Sequence, residues 1–150
     1  MNLRLLFVAV CATASAIGLA GADRFPDAPG KTELLNVCGT CHEPDLVFDH
    51  PQTAGEWSQT LENMAQAGAE ATDAQWQLIE KYLNAQIAMI PVNSATAAEL
   101  QATFDVAESV AQAIVRHRQA NGKFASAEDL KKVAGLDAAR VDARKDRLLY

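Results

Sequence analysis

Apolar residues recur along this chain at helical spacing, and each series stops at residues that end helices. Trp57, Leu61 and Met64 fall at i, i+4 and i+7, while Trp76, Ile79 and Leu83 form a second series with Tyr82 beside them. Each predicts a helix with one face turned to a core. Val110, Ala111, Ile114 and Val115 predict a third, from about Ala107 to Ala120, with Asn121-Gly122 as its stop. Shorter helical stretches are read over Lys31 to Val37, from Ser126 through Val133 with Gly135 as the breaker, and from Ala138 to the C-terminus with Val141 and Leu148 inward. Glu43 to His50 shows no clean period, and Pro44 and Pro51 bracket it as a loop.

The helix starts are marked locally. Thr53 with Glu56, Thr72 with Gln75, and Thr96 with Glu99 match the capping box, in which a hydroxyl and a side chain three residues on satisfy each other's backbone N–H groups. Ser126 with Asp129 approximates it. No strand alternation is read, so the chain is expected to be all-α. Ile90-Pro91-Val92-Asn93-Ser94, a proline break followed by turn formers, divides it into residues 23–90 and 91–150.

Residues 1–22 read as a secretory signal peptide. Met1 to Arg4 is a short basic start, Leu5 to about Ala20 is apolar, and Ala20-Gly21-Ala22 supplies the small-residue cleavage pattern. Thr13, Ser15 and Gly18 interrupt the segment, which argues against a retained anchor, and no membrane span is expected after cleavage. The expected location is periplasmic. Charge then separates the halves. From Asp23 to Pro91 eleven acids stand against three bases, a net of −8, whereas beyond Pro91 nine bases meet eight acids for +1. Such asymmetry suggests two units with different partners.

The densest chemistry is Cys38-Gly39-Thr40-Cys41-His42. This C-x-x-C-H spacing is the signature of covalent c-type haem attachment, the cysteines as thioethers and His42 as the proximal iron ligand. Cys11 falls in the leader, so Cys38 and Cys41 are the cysteines of the mature chain. Zinc is not expected, since a zinc site needs two further ligands and only His50 and His117 remain. The distal iron ligand is read as Met64, on the face shared with Trp57 and Leu61, with Met89 and His50 as alternatives. A methionine at helical spacing is also ordinary core filler.

Val37 to His42, Glu56-Trp57, Met64, Gly68-Ala69, Thr72-Asp73 and Tyr82-Leu83 together resemble small periplasmic monohaem cytochromes c that accept electrons from dehydrogenases. The resemblance spans roughly Lys31 to Gln86. It implies a cytochrome c-like haem domain, one covalent haem c, Met64 as sixth ligand, and a redox protein partner such as a dehydrogenase subunit or another cytochrome. Where relatives carry arginines before the Glu-Trp pair, this chain has His50-Pro51-Gln52.

Residues Val92 to Leu149 are similar to the tandem helix-hairpin-helix module of bacterial competence DNA receptors. The matching residues are Val92-Asn93-Ser94-Ala95-Thr96, Glu99-Leu100, Ala111 to Val115, Arg118, Asn121 to Phe124, Glu128-Asp129-Leu130 and Val133 to Leu136. In such modules glycine-rich turns bring backbone N–H groups to a DNA phosphate. Here Asp105-Val106-Ala107 replaces the first turn, and Gly135-Leu136-Asp137 keeps one glycine of the second. Gly135, Lys131, Lys132 and Arg140 are the residues that would meet a DNA backbone. Because acids nearly cancel bases, DNA is disfavoured as a partner against structural or protein docking.

Together these features predict an electron-transfer cytochrome that is not an enzyme. The alternative is an envelope DNA-binding helix-hairpin-helix protein carrying a redox or sensory haem. A haem peroxidase or gas sensor would require an open or His-ligated distal face.

Overall fold

The computed structural model describes residues 24–150, so the expected leader over 1–22, with Cys11, lies outside the described residues. The first half packs three principal helices. α1 (Lys31–Cys38) follows Gly30, whose φ is 99°. A Cβ at Gly30 would lie 2.4 Å from the carbonyl oxygen of Leu78, so only glycine lets the chain turn this close to the opposing helix. α2 (Leu46–Asp49) is a single turn inside the stretch expected to be loop. One turn is too short to display a period, and only Val47 of it is buried.

α3 (Ala54–Gln66) and α4 (Asp73–Tyr82) each begin with a complete capping box, as the spacing predicts. The Thr53 N–H donates to the Glu56 carboxylate at 2.7 Å, and the Thr72 N–H donates to the Gln75 side chain at 2.9 Å. α4 continues into a π-helical turn, Leu83–Ile87, that its apolar series did not announce. The widened turn buries Leu83, Asn84 and Ile87 together. These elements enclose a core of Leu34, Val37, Trp57, Leu61, Ile79 and Tyr82, which Phe25 joins from outside the helices.

A second core starts at Ile90 and Val92 and includes Leu100, Phe104, Ile114, Leu130 and Val141. It is formed by α5 (Ala97–Phe104), α6 (Glu108–Asn121), α7 (Ala127–Leu130) and α8 (Ala138–Asp142). Thr96 caps α5 with Glu99 as expected, and Gly122, at φ 88°, ends α6. α7 is shorter than the stretch to Val133 predicted for it.

The expectation of an all-α chain ending in a helix is corrected at the C-terminus. After α8 come a short 3₁₀ turn, Lys145–Arg147, and β2 (Leu148–Leu149), which pairs in parallel with β1 (Ile90–Pro91) in the register Ile90 to Leu148. The described chain is therefore mostly helical with one two-residue strand pair. No local pattern could show it, because each strand is a strand only through the other.

The chain from Met89 to Val92 is held on both sides. The Met89 N–H donates to Gln52 at 2.8 Å, and the Val92 N–H donates to Leu149 at 3.0 Å. Arg147 fastens the halves further, donating to the carbonyls of Ala85 at 2.8 Å and Ala88 at 3.0 Å. Burial, and then the neighbouring Arg144, push its guanidinium down to about 10. Among the described residues no helix is long and apolar enough to cross a membrane.

Candidate functional site

The two turns of the C-terminal half follow one order of residues, each opening on a positive φ. In each, a residue in the left-handed region is followed by an apolar residue facing the core and then by a helix N-cap. The first is Asp105 (φ 51°), Val106 and Ala107 before α6; the second is Gly135 (φ 85°), Leu136 and Asp137 before α8. The left-handed conformation is costly for most side chains but tolerated by aspartate, which explains how the first turn survives without glycine. A Cβ on Gly135 would come within 3.3 Å of Val110 Cγ2, so the second turn also sits close to α6. Asp137 caps its own helix by accepting from the Ala139 N–H at 2.9 Å. Ala107 offers α6 no side-chain cap.

Most cations of this half are engaged within the protein. Arg140 Nη1 donates to the carbonyls of Phe104 at 3.0 Å and Asp105 at 2.6 Å and lies 3.3 Å from the Asp105 carboxylate. Arg118 donates to the carbonyls of Val92 at 2.8 Å and Ala95 at 2.7 Å, and Arg144 to that of Thr103 at 2.8 Å. Lys131 pairs with Asp142 at 2.6 Å and Glu128 at 2.7 Å, and these bonds raise its pKa, Asp142 most. Lys132 pairs with Asp129 at 2.8 Å, and that hydrogen bond raises the lysine while lowering the aspartate.

Of the residues expected at a DNA backbone, Lys131, Lys132 and Arg140 are thus already partnered, and Gly135 stands exposed at its turn. Arg116, Lys123 and Lys145 are exposed and take part in none of these bonds. Six of the eight acids are engaged in the same way. Asp105, Glu128, Asp129 and Asp142 face bases, while Glu99 and Asp137 serve caps. Glu108, in the first turn of α6, and Asp146 are exposed and take part in none of these bonds, so three unengaged cations stand beside two unengaged acids. The carbonyl-capping roles of Arg118, Arg144 and Arg147 were not visible in the sequence. Their acceptors lie far away along the chain and are backbone atoms, which leave no residue signature.

In the first half Cys38, His42, His50 and Met64 border one apolar cleft of about 210 Å³, together with Trp57, Leu61 and Leu83. Cys41 is exposed and is not among the cleft's lining residues. The Trp57 indole N–H is buried with no protein acceptor. Met89 is paired into the seam through its N–H and lies outside the lining of the cleft. His117, set aside as a ligand, stacks on Phe124 with ring centroids 5.2 Å apart.

Residues 85–149 match the helix-hairpin-helix motif. Two relatives sharpen the placement. ComE operon protein 1 of Bacillus subtilis (strain 168) is 26% identical over 137 residues, an alignment covering 73% of this chain and 66% of that protein. An uncharacterized protein of Haemophilus influenzae (strain ATCC 51907 / DSM 11121 / KW20 / Rd) is 30% identical over 93 residues, covering 61% of this chain and 76% of that protein. The chain belongs to one family with the Haemophilus protein and carries a helix-hairpin-helix module. No solved structure matches.

These findings correct the cofactor and partner expectations. The family match falls on the helix-hairpin-helix half, and neither relative matched is named as a cytochrome. Among the described residues no three His, Cys, Asp or Glu side chains gather as a metal site. The cleft is also smaller than the roughly 300–1,000 Å³ typical of small-molecule sites, and only one of the two thiols borders it. Covalent haem c does not fit, so no haem-holding role is derived for Cys38, Cys41, His42 or Met64. The redox partner, dehydrogenase subunit or cytochrome, is withdrawn with it. The preference for a redox partner over DNA falls with it.

Proposed function

We propose that this chain is an exported envelope protein that binds DNA through its helix-hairpin-helix module and acts as a binding protein rather than an enzyme. The observation that carries the reading is the positive φ, apolar residue and N-cap repeated at the two turns, within a segment that matches the helix-hairpin-helix motif. Each turn delivers a helix N-terminus to the surface, where backbone amides and the positive end of the helix dipole favour a phosphate. Arg140 supports the first turn by answering the charge of Asp105, which would otherwise repel the ligand. Arg116, Lys123 and Lys145 supply the unpaired positive charge, against the unpaired acids Glu108 and Asp146. Export rests on the leader sequence over 1–22.

Three free cations predict weak binding without sequence preference, read through the backbone alone. Fluorescence polarisation of a labelled duplex with the full chain tests this. The logarithm of the affinity should fall with the logarithm of salt at a slope of about −2.7, the value for three phosphate contacts. Charge reversal at Arg116, Lys123 and Lys145 together should abolish binding. Salt-independent binding, or a triple variant that binds as well as the wild type, would sink the reading.

A further inference from the structure

The C-x-x-C turn is left without work by DNA binding, yet its geometry is specific. Cys38 is the last residue of α1, 8% exposed, whereas Cys41 is exposed. The Cys41 N–H donates to the Cys38 carbonyl at 3.5 Å, closing a four-residue turn. A closed turn of this kind holds its end Cα atoms within about 7 Å, a bound close to the upper end of the roughly 4.4–6.8 Å that a disulfide spans. The turn is pinned from outside. The Thr40 hydroxyl donates to the Asn36 carbonyl at 3.0 Å, and the Gly39 N–H donates to that of Leu35 at 3.0 Å. A Cβ on Gly39 would stand 2.4 Å from the Leu35 oxygen, so the tight path needs the residue that is there. No other cysteine lies among the described residues.

We propose that Cys38 and Cys41 are one redox-modification site, which closes to an intrachain disulfide by exchange with a small-molecule or protein disulfide. The exposed Cys41 thiolate attacks one sulfur of the donor disulfide and expels the other as a thiolate. Cys38 then loses its proton and attacks the Cys41 sulfur of the mixed disulfide, expelling the second thiolate. Two protein thiols are oxidised to one disulfide, and the donor disulfide is reduced to two thiols. The order follows from exposure, since burial pushes the Cys38 thiol up and keeps it protonated until the mixed disulfide arrives beside it. Closure fixes the segment leading to His42 at the mouth of the apolar cleft.

The test uses the full chain with Cys11→Ser, treated with oxidised glutathione and read by intact mass and thiol alkylation. Both thiols should disappear together, the mass should fall by two hydrogen atoms, and dithiothreitol should restore both. Cys38→Ser should trap glutathione on Cys41 at least about tenfold faster than Cys41→Ser traps it on Cys38. The parental reading requires neither variant to fold. A glutathione adduct that persists on the parental pair would overturn the proposal. So would two thiols that never close, or sulfurs that resist alkylation even after reduction because irreducible bonds already hold them.

Discussion

Arg140 reaches from α8 back to Asp105, with one nitrogen 3.3 Å from the carboxylate and 2.6 Å from the same residue's carbonyl oxygen. One side chain of the second hairpin thereby fixes the first, and neutralises the acid at the point where a phosphate would approach.

Replacing that acid should strengthen DNA binding. Asp105→Asn keeps a side chain that tolerates the left-handed conformation while removing the charge and freeing Arg140. Duplex affinity by fluorescence polarisation should rise severalfold at low salt. Stability should fall by less than about 1 kcal/mol, because the lost pair is largely exposed.

Arg147 should matter more to stability than any surface base. Arg147→Met leaves the carbonyls of Ala85 and Ala88 without their donor in a partly buried seam. The expected loss in urea unfolding is about 2–3 kcal/mol. Arg147→Lys should recover only part of it, since an ammonium lacks the planar fork that serves both acceptors.

The three capping threonines should behave alike. Thr53→Ala, Thr72→Ala and Thr96→Ala each remove the hydroxyl acceptor of a complete box. Each should cost about 1 kcal/mol in chemical denaturation. Serine at the same positions should restore most of it.

Tyr82 should titrate late. Its hydroxyl donates to the Pro26 carbonyl at 2.8 Å, and burial, then the charge of Asp27, push its pKa up to about 12 from an ordinary 10. The folded chain therefore holds the phenolic proton longer than the unfolded one. The resulting stabilisation is complete below pH 10 and lost as pH rises through about 12. Tyrosinate absorbance should show a late step that Tyr82→Phe removes. The stability gap between parent and variant should narrow across the same window.

What the sequence disclosed divides along the range of the interaction. Thr53, Thr72 and Thr96 announced their helices because the bonds run three residues, and the series through Ile114 and Val141 marked residues that are fully buried. Leu148 could be placed inward but not in a strand, because its partner Ile90 sits at the far end of the module. The C-x-x-C-H spacing announced a cofactor for the same reason that it misled. It is a statement about five neighbouring residues, and a prosthetic group also needs a cavity and ligands from elsewhere in the fold. The summed charge could not show that Lys131 faces Asp142 and Arg140 faces Asp105 while Arg116, Lys123 and Lys145 stand free of internal partners.

The pairing of Ile90 with Leu148 also imposes an order in time. A contact between the first and last elements of a module waits on a long loop closure, whereas capped helices form from neighbours. Until Leu148 arrives, Arg147 is not beside Ala85 and Ala88, and their carbonyls stay bonded to water. This contact is therefore expected among the last to form, although α5 packs on α3 and on the Leu83–Ile87 turn without it.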